Sequence, residues 1–306
     1  EAPMQAASPE LAVAVPRVPA GSPSWAHDGA DWPNRQFSRF VRADGLRWHV
    51  QVAGQGPVLL LRHGTGAATH SWRDIFLPLA EHFTVIAPDL PGHGFTEQPE
   101  SGKMSLPGMA HGIAALLAQL GLKPEFGAGH SAGAAILVQM CLDGQIAPAK
   151  IISLNGALVP FGDRAHVLFA PVARLIARNP LMPLIFSWRA ADPAVVNRLL
   201  DGTGSTIDAR GRKFYARLAR RSGHTGAALL MMGNWDLAGL FAALPKLAPK
   251  LVLVVGENDR SIPPTDAARI QAQLPAARII RQPKLGHLAH EERPSETVEL
   301  IKANCA

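Results

Sequence analysis

The chain has 306 residues, of which 47% are hydrophobic, enough apolar material for one large α/β domain or two modest ones and too much for disorder throughout. Its formal net charge of +6 favours anionic surfaces but by itself identifies no partner, and no nucleic-acid partner is expected. Only 2 cysteines, Cys141 and Cys305, exclude a disulfide framework and a Cys-x-x-Cys metal site, which fits a reducing, cytoplasmic location; no apolar run of about 20 residues predicts a transmembrane segment.

Residues 1–30 are rich in Ala and Pro and read as a disordered leader. They lack the basic region and apolar block of an intact signal peptide, although Glu1 at the start leaves earlier processing open. From Ser38, "FVRADGLRWHVQVAG" reads as a hairpin around Asp44-Gly45. "PVLLLRHGTG" and "FTVIAPDLPGHG" then read as buried parallel strands that end in glycine-rich turns. Helices are expected over "HSWRDIFLPLAEH" and "SLPGMAHGIAALLAQLGL", where Met109, Ile113, Leu116, Leu117 and Leu120 recur at helical spacing. "EFGAGHS" follows as a strand, "AGAAILVQMCLDG" as a helix and "AKIISLNGA" as a strand. This alternation specifies an α/β fold with a mostly parallel, doubly wound sheet.

The alternation stops near Leu158 and resumes with the strand "PKLVLVVGENDR", the helix "PTDAARIQAQL", the strand "ARIIRQP" and a last helix after Pro294. The interruption is too long for a plain loop, and "AHVLFAPVARLIARNPLMPLIFSW", "AVVNRLL" and "RKFYARLARRSGHTGAALLMMGNW" are helical in content. The expected organisation is a core over 31–157 and 241–306 with residues 158–240 inserted as a helical cap.

Within "GAGHSAGAA", Ser131 stands among small residues. It is either the N-cap of a helix packed closely on a sheet or the nucleophile of a strand-to-helix elbow, G-x-S-x-G. Ligands of open parallel sheets bind beyond the carboxyl ends of the strands, and four such ends carry reactive-looking residues: Ser131, Asp259, His287 and the "RHGTG" turn. A serine hydroxyl needs a neutral imidazole to take its proton, the role of His287. The imidazolium needs a carboxylate, the role of Asp259. The oxyanion needs preorganised N–H donors, here the backbone amides of Thr65 and Ala132. Asp236 in "GNWDL" is a rival acid and His290 a rival histidine, whereas His63 and His93 shape their glycine turns. No helical His pair with a third ligand is found, so neither a metal nor a cofactor is expected.

From about Trp25 onward, "HGTG", "DLPGHGFT", "GHSAG", "GENDR" and "GHLAHEERP" resemble, in order, the conserved turns of the α/β-hydrolase superfamily. "SLNGALVPF", "LLDGTGS" and "LGHLAHEERP" further resemble magnesium-chelatase accessory hydrolases found with bacteriochlorophyll synthesis genes. The resemblance implies an α/β-hydrolase fold and a pathway rather than a substrate. Arg62 departs from the apolar residue usual before the oxyanion-turn histidine, and if buried it needs a partner or a pocket opening.

The expected function is therefore a serine esterase acting on carboxylic esters of low polarity, a tetrapyrrole-related ester included, with the apolar cap stretches "LMPLIFSW" and "ALLMMGNW" shaping the pocket. Related enzymes that open epoxides use a carboxylate nucleophile, where this chain has serine. The alternative is a non-catalytic accessory protein that contacts a chelatase subunit, a tetrapyrrole or a membrane surface through Arg210, Arg212, Lys213, Arg217, Arg220 and Arg221. That run also suits a solvated helix face.

Overall fold

The computed structural model of the protein describes residues 21–162, 175 and 178–306. Eight strands, β1 (Ser38–Ala43), β2 (Leu46–Ala53), β3 (Val58–Arg62), β4 (Thr84–Pro88), β5 (Phe126–His130), β6 (Lys150–Leu154), β7 (Lys250–Gly256) and β8 (Arg278–Gln282), form one sheet in the order β1-β2-β4-β3-β5-β6-β7-β8. β1 and β2 pair as the expected hairpin, with Asp44 and Gly45 both at positive φ (49° and 75°), as a tight two-residue turn requires. β2 runs antiparallel to β4, and β4, β3, β5, β6, β7 and β8 are mutually parallel. The fold is the one the alternating pattern predicts.

Because side chains alternate across a strand, successive leucines of β3 serve different layers. Leu60 packs with Met109, Ile113 and Ile136 on one face, while Leu59 and Leu61 pack with Trp72, Phe76 and Ile301 on the other. Helices cover both faces, so β3 reads as an unbroken apolar run. The strand order reverses at β3, which lies between β4 and β5. This switch point opens a crevice beyond the strand ends.

Helix α1 (Phe76–Ala80) is shorter than the window "HSWRDIFLPLAEH" predicts, and a 3-10 turn over Thr69–Trp72 precedes it. The Thr69 amide is taken by Asp89 Oδ1 at 2.7 Å, and Pro78 has no amide to extend a longer ladder. Helix α2 (Leu106–Leu120) matches its prediction: Ser105 Oγ caps the Gly108 amide at 3.2 Å, and Gly121 stops it at φ 66°. Helix α3 (Ala132–Leu142) follows β5 directly.

Between β6 and β7 lie α4 (Leu181–Arg189), α5 (Pro193–Asp201), α6 (Ala209–Ala219), α7 (Ser222–Gly233) and α8 (Ala238–Ala243). The helix expected over 165–188 falls partly outside the described residues, and its described part is α4. The run "RKFYARLARRSGHTGAALLMMGNW" breaks at Arg221, which is extended (φ −98°, ψ 110°). At this break Arg221 Nη2 donates to the distant Asp28 Oδ1 at 2.7 Å. After β7 come α9 (Asp266–Gln273), α10 (Ala289–Glu292) and α11 (Pro294–Cys305).

Of the leader expected over 1–30, residues 1–20 lie outside the described residues. Residues 21–30 depart from that expectation, forming turns fastened to the body of the protein. Asp28 is buried and accepts from the Ser24 amide at 2.7 Å, and Trp25 meets Phe40 and Phe95 edge-on with ring centroids 5.3 and 4.9 Å apart. Aromatic burial and a cation nearly two hundred positions away hold the segment, and neither is legible in local composition.

Candidate active site

Ser131 sits where β5 becomes α3, at φ 53° and ψ −120°, a conformation that costs a non-glycine residue about 1–3 kcal/mol. Small neighbours allow it. A Cβ at Gly133 would collide with the Arg62 carbonyl, and one at Gly129 would collide with the backbone of Ala134. The Ser131 side chain makes no capping hydrogen bond to α3, so the strained turn is not explained by an N-cap. Its amide donates to Leu154 O at 3.2 Å and its carbonyl accepts from Ala157 at 3.0 Å, fixing the turn against β6.

Asp259 follows β7 and His287 follows β8. Asp259 Oδ2 accepts from His287 Nδ1 at 2.8 Å, and Oδ1 accepts from the Ser261 and Ile262 amides, each at 2.8 Å. This pairing leaves His287 Nε2 as the basic nitrogen of the neutral ring. Both residues are buried, at 7% and 8% exposure. The rivals are elsewhere. Asp236 Oδ1 caps the start of α8 through the Ala238 amide at 2.9 Å. His290 packs between Trp72 and His130 (ring centroids 4.9 and 4.5 Å), burial pushes it down to about 3, and neither of its ring nitrogens is hydrogen-bonded among the described residues.

Thr65, Ser131, Ala132 and His287 line a single cavity of about 890 Å³. Among the described residues, the amides of Thr65 and Ala132 donate to no protein acceptor. The turn that carries Thr65 is braced: His63 Nδ1 donates to Gly64 O at 2.8 Å while its Nε2 accepts from Leu90 at 2.9 Å, and His224 of α7 donates from Nε2 to Gly66 O at 2.9 Å. His93 Nδ1 meets Pro91 O at 3.0 Å, the turn-shaping part expected of it. The same cavity is lined by Phe186, Leu199, Tyr215, Leu229 and Met232 of α4 to α7 and by Trp235 just after α7. "ALLMMGNW" thus supplies lining as expected, whereas "LMPLIFSW" supplies only Phe186.

Several supporting residues escaped the sequence reading. Asn155, at positive φ (49°), accepts from the Gly256 amide at 2.7 Å and donates to the carbonyls of Gly286 and His287 at 3.2 and 3.1 Å, coupling the ends of β6, β7 and β8. His130 Nε2 donates to the same His287 carbonyl at 2.8 Å. Glu292 accepts from the Gly286 amide, Ser205 Oγ and the Thr206 amide at 2.7, 2.8 and 2.9 Å. Glu291 binds Arg73 and accepts from Tyr215 Oη at 2.6 Å. The two adjacent acids in "AHEERP" were the available signal, since acids so close to a buried histidine turn need partners.

Arg62 is fully buried, the case in which the sequence calls for a partner or a pocket opening. Its Nη1 donates to Pro88 O at 3.4 Å, Nε and Nη2 have no partner among the described residues, and burial pushes the guanidinium down to about 9 against the pull of Asp89. The basic run at α6 is partly neutralised within the chain: Arg212 pairs with Asp201, Lys213 and Arg217 share Asp31, and Arg221 pairs with Asp28, while Arg210 and Arg220 are exposed with no ion-pair partner among the described residues. Among the described residues, no group of three or more His, Cys, Asp or Glu is arranged to hold a metal.

Comparison with known proteins agrees with this fold. The chain is 37% identical over 264 residues to the magnesium-chelatase 30 kDa subunit of Rhodobacter capsulatus, covering 86% of this chain and 92% of the relative. Among solved structures it is similar to an epoxide hydrolase from Vigna radiata (TM-score 0.73, 21% identity, 87% of this chain and 97% of the other). It is also similar to a thermophilic esterase from Thermogutta terrifontis (TM-score 0.66, 22% identity, 87% and 97%). At such identities the two structures speak for the fold alone. A family model described as the alpha/beta hydrolase family matches residues 58–300, and the chain belongs to that family.

Proposed function

We propose that this protein is a serine hydrolase that cleaves carboxylic esters of low polarity, with residues 158–240 acting as a cap on a core of residues 31–157 and 241–306. The observation that carries the reading is the 2.8 Å Asp259–His287 pair on the wall of the cavity that Ser131 also lines. Ser131 Oγ attacks the ester carbonyl carbon as its proton passes to His287 Nε2. The tetrahedral oxyanion is received by the amides of Thr65 and Ala132, and Asp259 stabilises the imidazolium through Nδ1. Collapse expels the alcohol, which takes the proton from His287. Water then attacks the acyl-enzyme with His287 as base, regenerating Ser131 and releasing the acid. The cavity volume lies within the usual range for drug-sized ligands, and its apolar roof favours a bulky acyl or ring-bearing group.

A serine at the elbow argues against epoxide opening, which on this fold proceeds through a carboxylate. Hydrolysis of p-nitrophenyl esters from acetate to decanoate by wild type and Ser131→Ala tests the proposal. The expected outcome is a loss of about 10⁴-fold or more in kcat for the variant, with fluorophosphonate labelling only the wild type at Ser131. Equal rates in both proteins would overturn it.

A second reading rests on the name of the R. capsulatus relative, which is that of a chelatase subunit. It makes the chain an accessory protein that binds a tetrapyrrole or a chelatase component. The internal pairing of Arg212, Lys213, Arg217 and Arg221 reduces the cationic surface that reading needs and leaves Arg210 and Arg220 to supply it. Tetrapyrrole binding undiminished in Ser131→Ala, together with no esterase activity in wild type, would favour it.

A further inference from the structure

Helix α4 is amphipathic the wrong way round for a buried element. Leu181, Leu184, Ile185 and Trp188 fall at positions i, i+3, i+4 and i+7, one stripe of the helix, and they are 59%, 54%, 47% and 77% exposed. The opposite side is the one in contact with protein: Pro183 meets Gly226 and Thr225 of α7, and Phe186 reaches the cavity. Nine large apolar residues are exposed among the described residues. Four stand on this helix, and three more, Phe161, Leu199 and Met232, line the cavity. The stripe thus stands on the outer side of a helix whose inner side reaches the cavity through Phe186.

The charges along it are mostly basic, Asp192 beyond its end being the one acid from 178 to 200. Arg178, Arg189 and Arg198 are exposed and have no ion-pair partner among the described residues, and no acidic residue occurs from 178 to 191. At nine residues, α4 is far too short to cross a bilayer, and no single helix among the described residues is long and apolar enough to do so. A short helix with Leu, Ile and Trp on one face and flanking arginines has the chemistry of an element lying in the lipid–water interface.

We propose that α4 and the adjoining cavity rim dock on an anionic phospholipid surface, so that an apolar substrate passes from the bilayer into the cavity without crossing water. The docking surface is distinct from the partly paired basic run of α6. Only the substrate-delivery part rests on the hydrolase reading. Docking itself is measured with Ser131→Ala protein, so failure of either idea is separately visible.

The test is sedimentation of the full chain with sucrose-loaded vesicles of phosphatidylcholine alone or mixed equally with phosphatidylglycerol. Binding to the mixed vesicles is expected to exceed binding to phosphatidylcholine by about tenfold or more and to weaken with added salt, each arginine being worth about fivefold. Leu184→Ser combined with Trp188→Ser should abolish it while leaving hydrolysis of a short soluble ester within about twofold of wild type, since neither residue lines the cavity. Arg178→Gln with Arg189→Gln should weaken it and flatten the salt dependence. Absence of vesicle binding, or binding indifferent to Leu184 and Trp188, overturns the proposal. So does a dimer in sedimentation velocity that the Leu184/Trp188 variant dissociates, because the stripe would then be covered by a second copy.

Discussion

Four of the five residues of β5, the strand that leads to Ser131, are buried, whereas none of the nine residues of α4 is. The contrast lies in how many sides each element has covered. β5 runs between β3 and β6 with α3 against it, so the turns near its end take hydrogen-bond partners from inside the protein. Asn155 does this for the acid and histidine turns. Asp89 does it for the neighbouring turn, accepting from Thr69, Phe95 and His49 at 2.7, 2.9 and 2.7 Å. Burial alone would raise that carboxyl, but the His49 ring beside it holds it below its ordinary value. Helix α4 leans on α7 along one side and gives the other to solvent. A fixed frame at the strand ends beneath a roof open to adjustment suits chemistry that stays constant while the group it accepts varies.

The largest effect that would break this contrast lies at the frame. Asp259→Asn is expected to lower kcat on a short ester by about 10³–10⁴-fold by leaving His287 with the wrong tautomer, while Asp236→Asn stays within about twofold. A comparable loss in Asp236→Asn would move the acid into the helical segment and erase the distinction. Steady-state kinetics of the two variants decide it.

A smaller effect separates the regions by pH. Burial pushes His63 and His290 down to about 3 and also lowers His70, His93, His130 and His224. In the unfolded chain these rings take protons near their ordinary value of 6.5, so the unfolded state binds more protons than the native one below that pH. Their contribution is whole above pH 6.5 and drains away as the pH falls toward 3, at about 1.4 kcal/mol per pH unit for each ring that stays neutral. Urea midpoints measured from about pH 7 down to about pH 5 should fall steadily. A flat profile would mean that the buried rings are already charged in the native protein.

The smallest effect belongs to the roof. Leu229→Ala enlarges the cavity beside the strand ends and should shift the preferred acyl length upward, with kcat/KM for the short ester falling about tenfold and the hydrolysis mechanism unchanged. A loss as large as that of Asp259→Asn would show that the roof takes part in fixing the frame.

The elbow at Ser131 was legible because its signature is local, although the Arg62 carbonyl that forbids a Cβ at Gly133 belongs to β3. Gly129 and Gly133 are required within two residues of the serine, by the clash any Cβ would make. The strands were legible for the same kind of reason, as alternating or continuous apolar runs bounded by glycine turns. Asp259 was read as the acid from its place at a strand end with Asp236 as a rival, and the approach of β8 to β7 is what brings His287 to Asp259. Asn155, Glu291 and Glu292 went unseen as supports because their partners lie across the fold. Arg62 was flagged as an anomaly from sequence, but its burial beside Pro88 and Asp89 needed coordinates.

"LMPLIFSW" marks the limit most clearly. Its apolar spacing gives the same signal whether the stripe faces a pocket, a packed core or the outside. The structure turns Leu181, Leu184, Ile185 and Trp188 outward and sends Phe186 inward. Periodicity and steric rules acting over a few residues determined the sheet, its crossover helices and the serine turn. How the acid meets the histidine and which way an apolar stripe faces depend on contacts between residues far apart in the chain, and those only the tertiary structure decided.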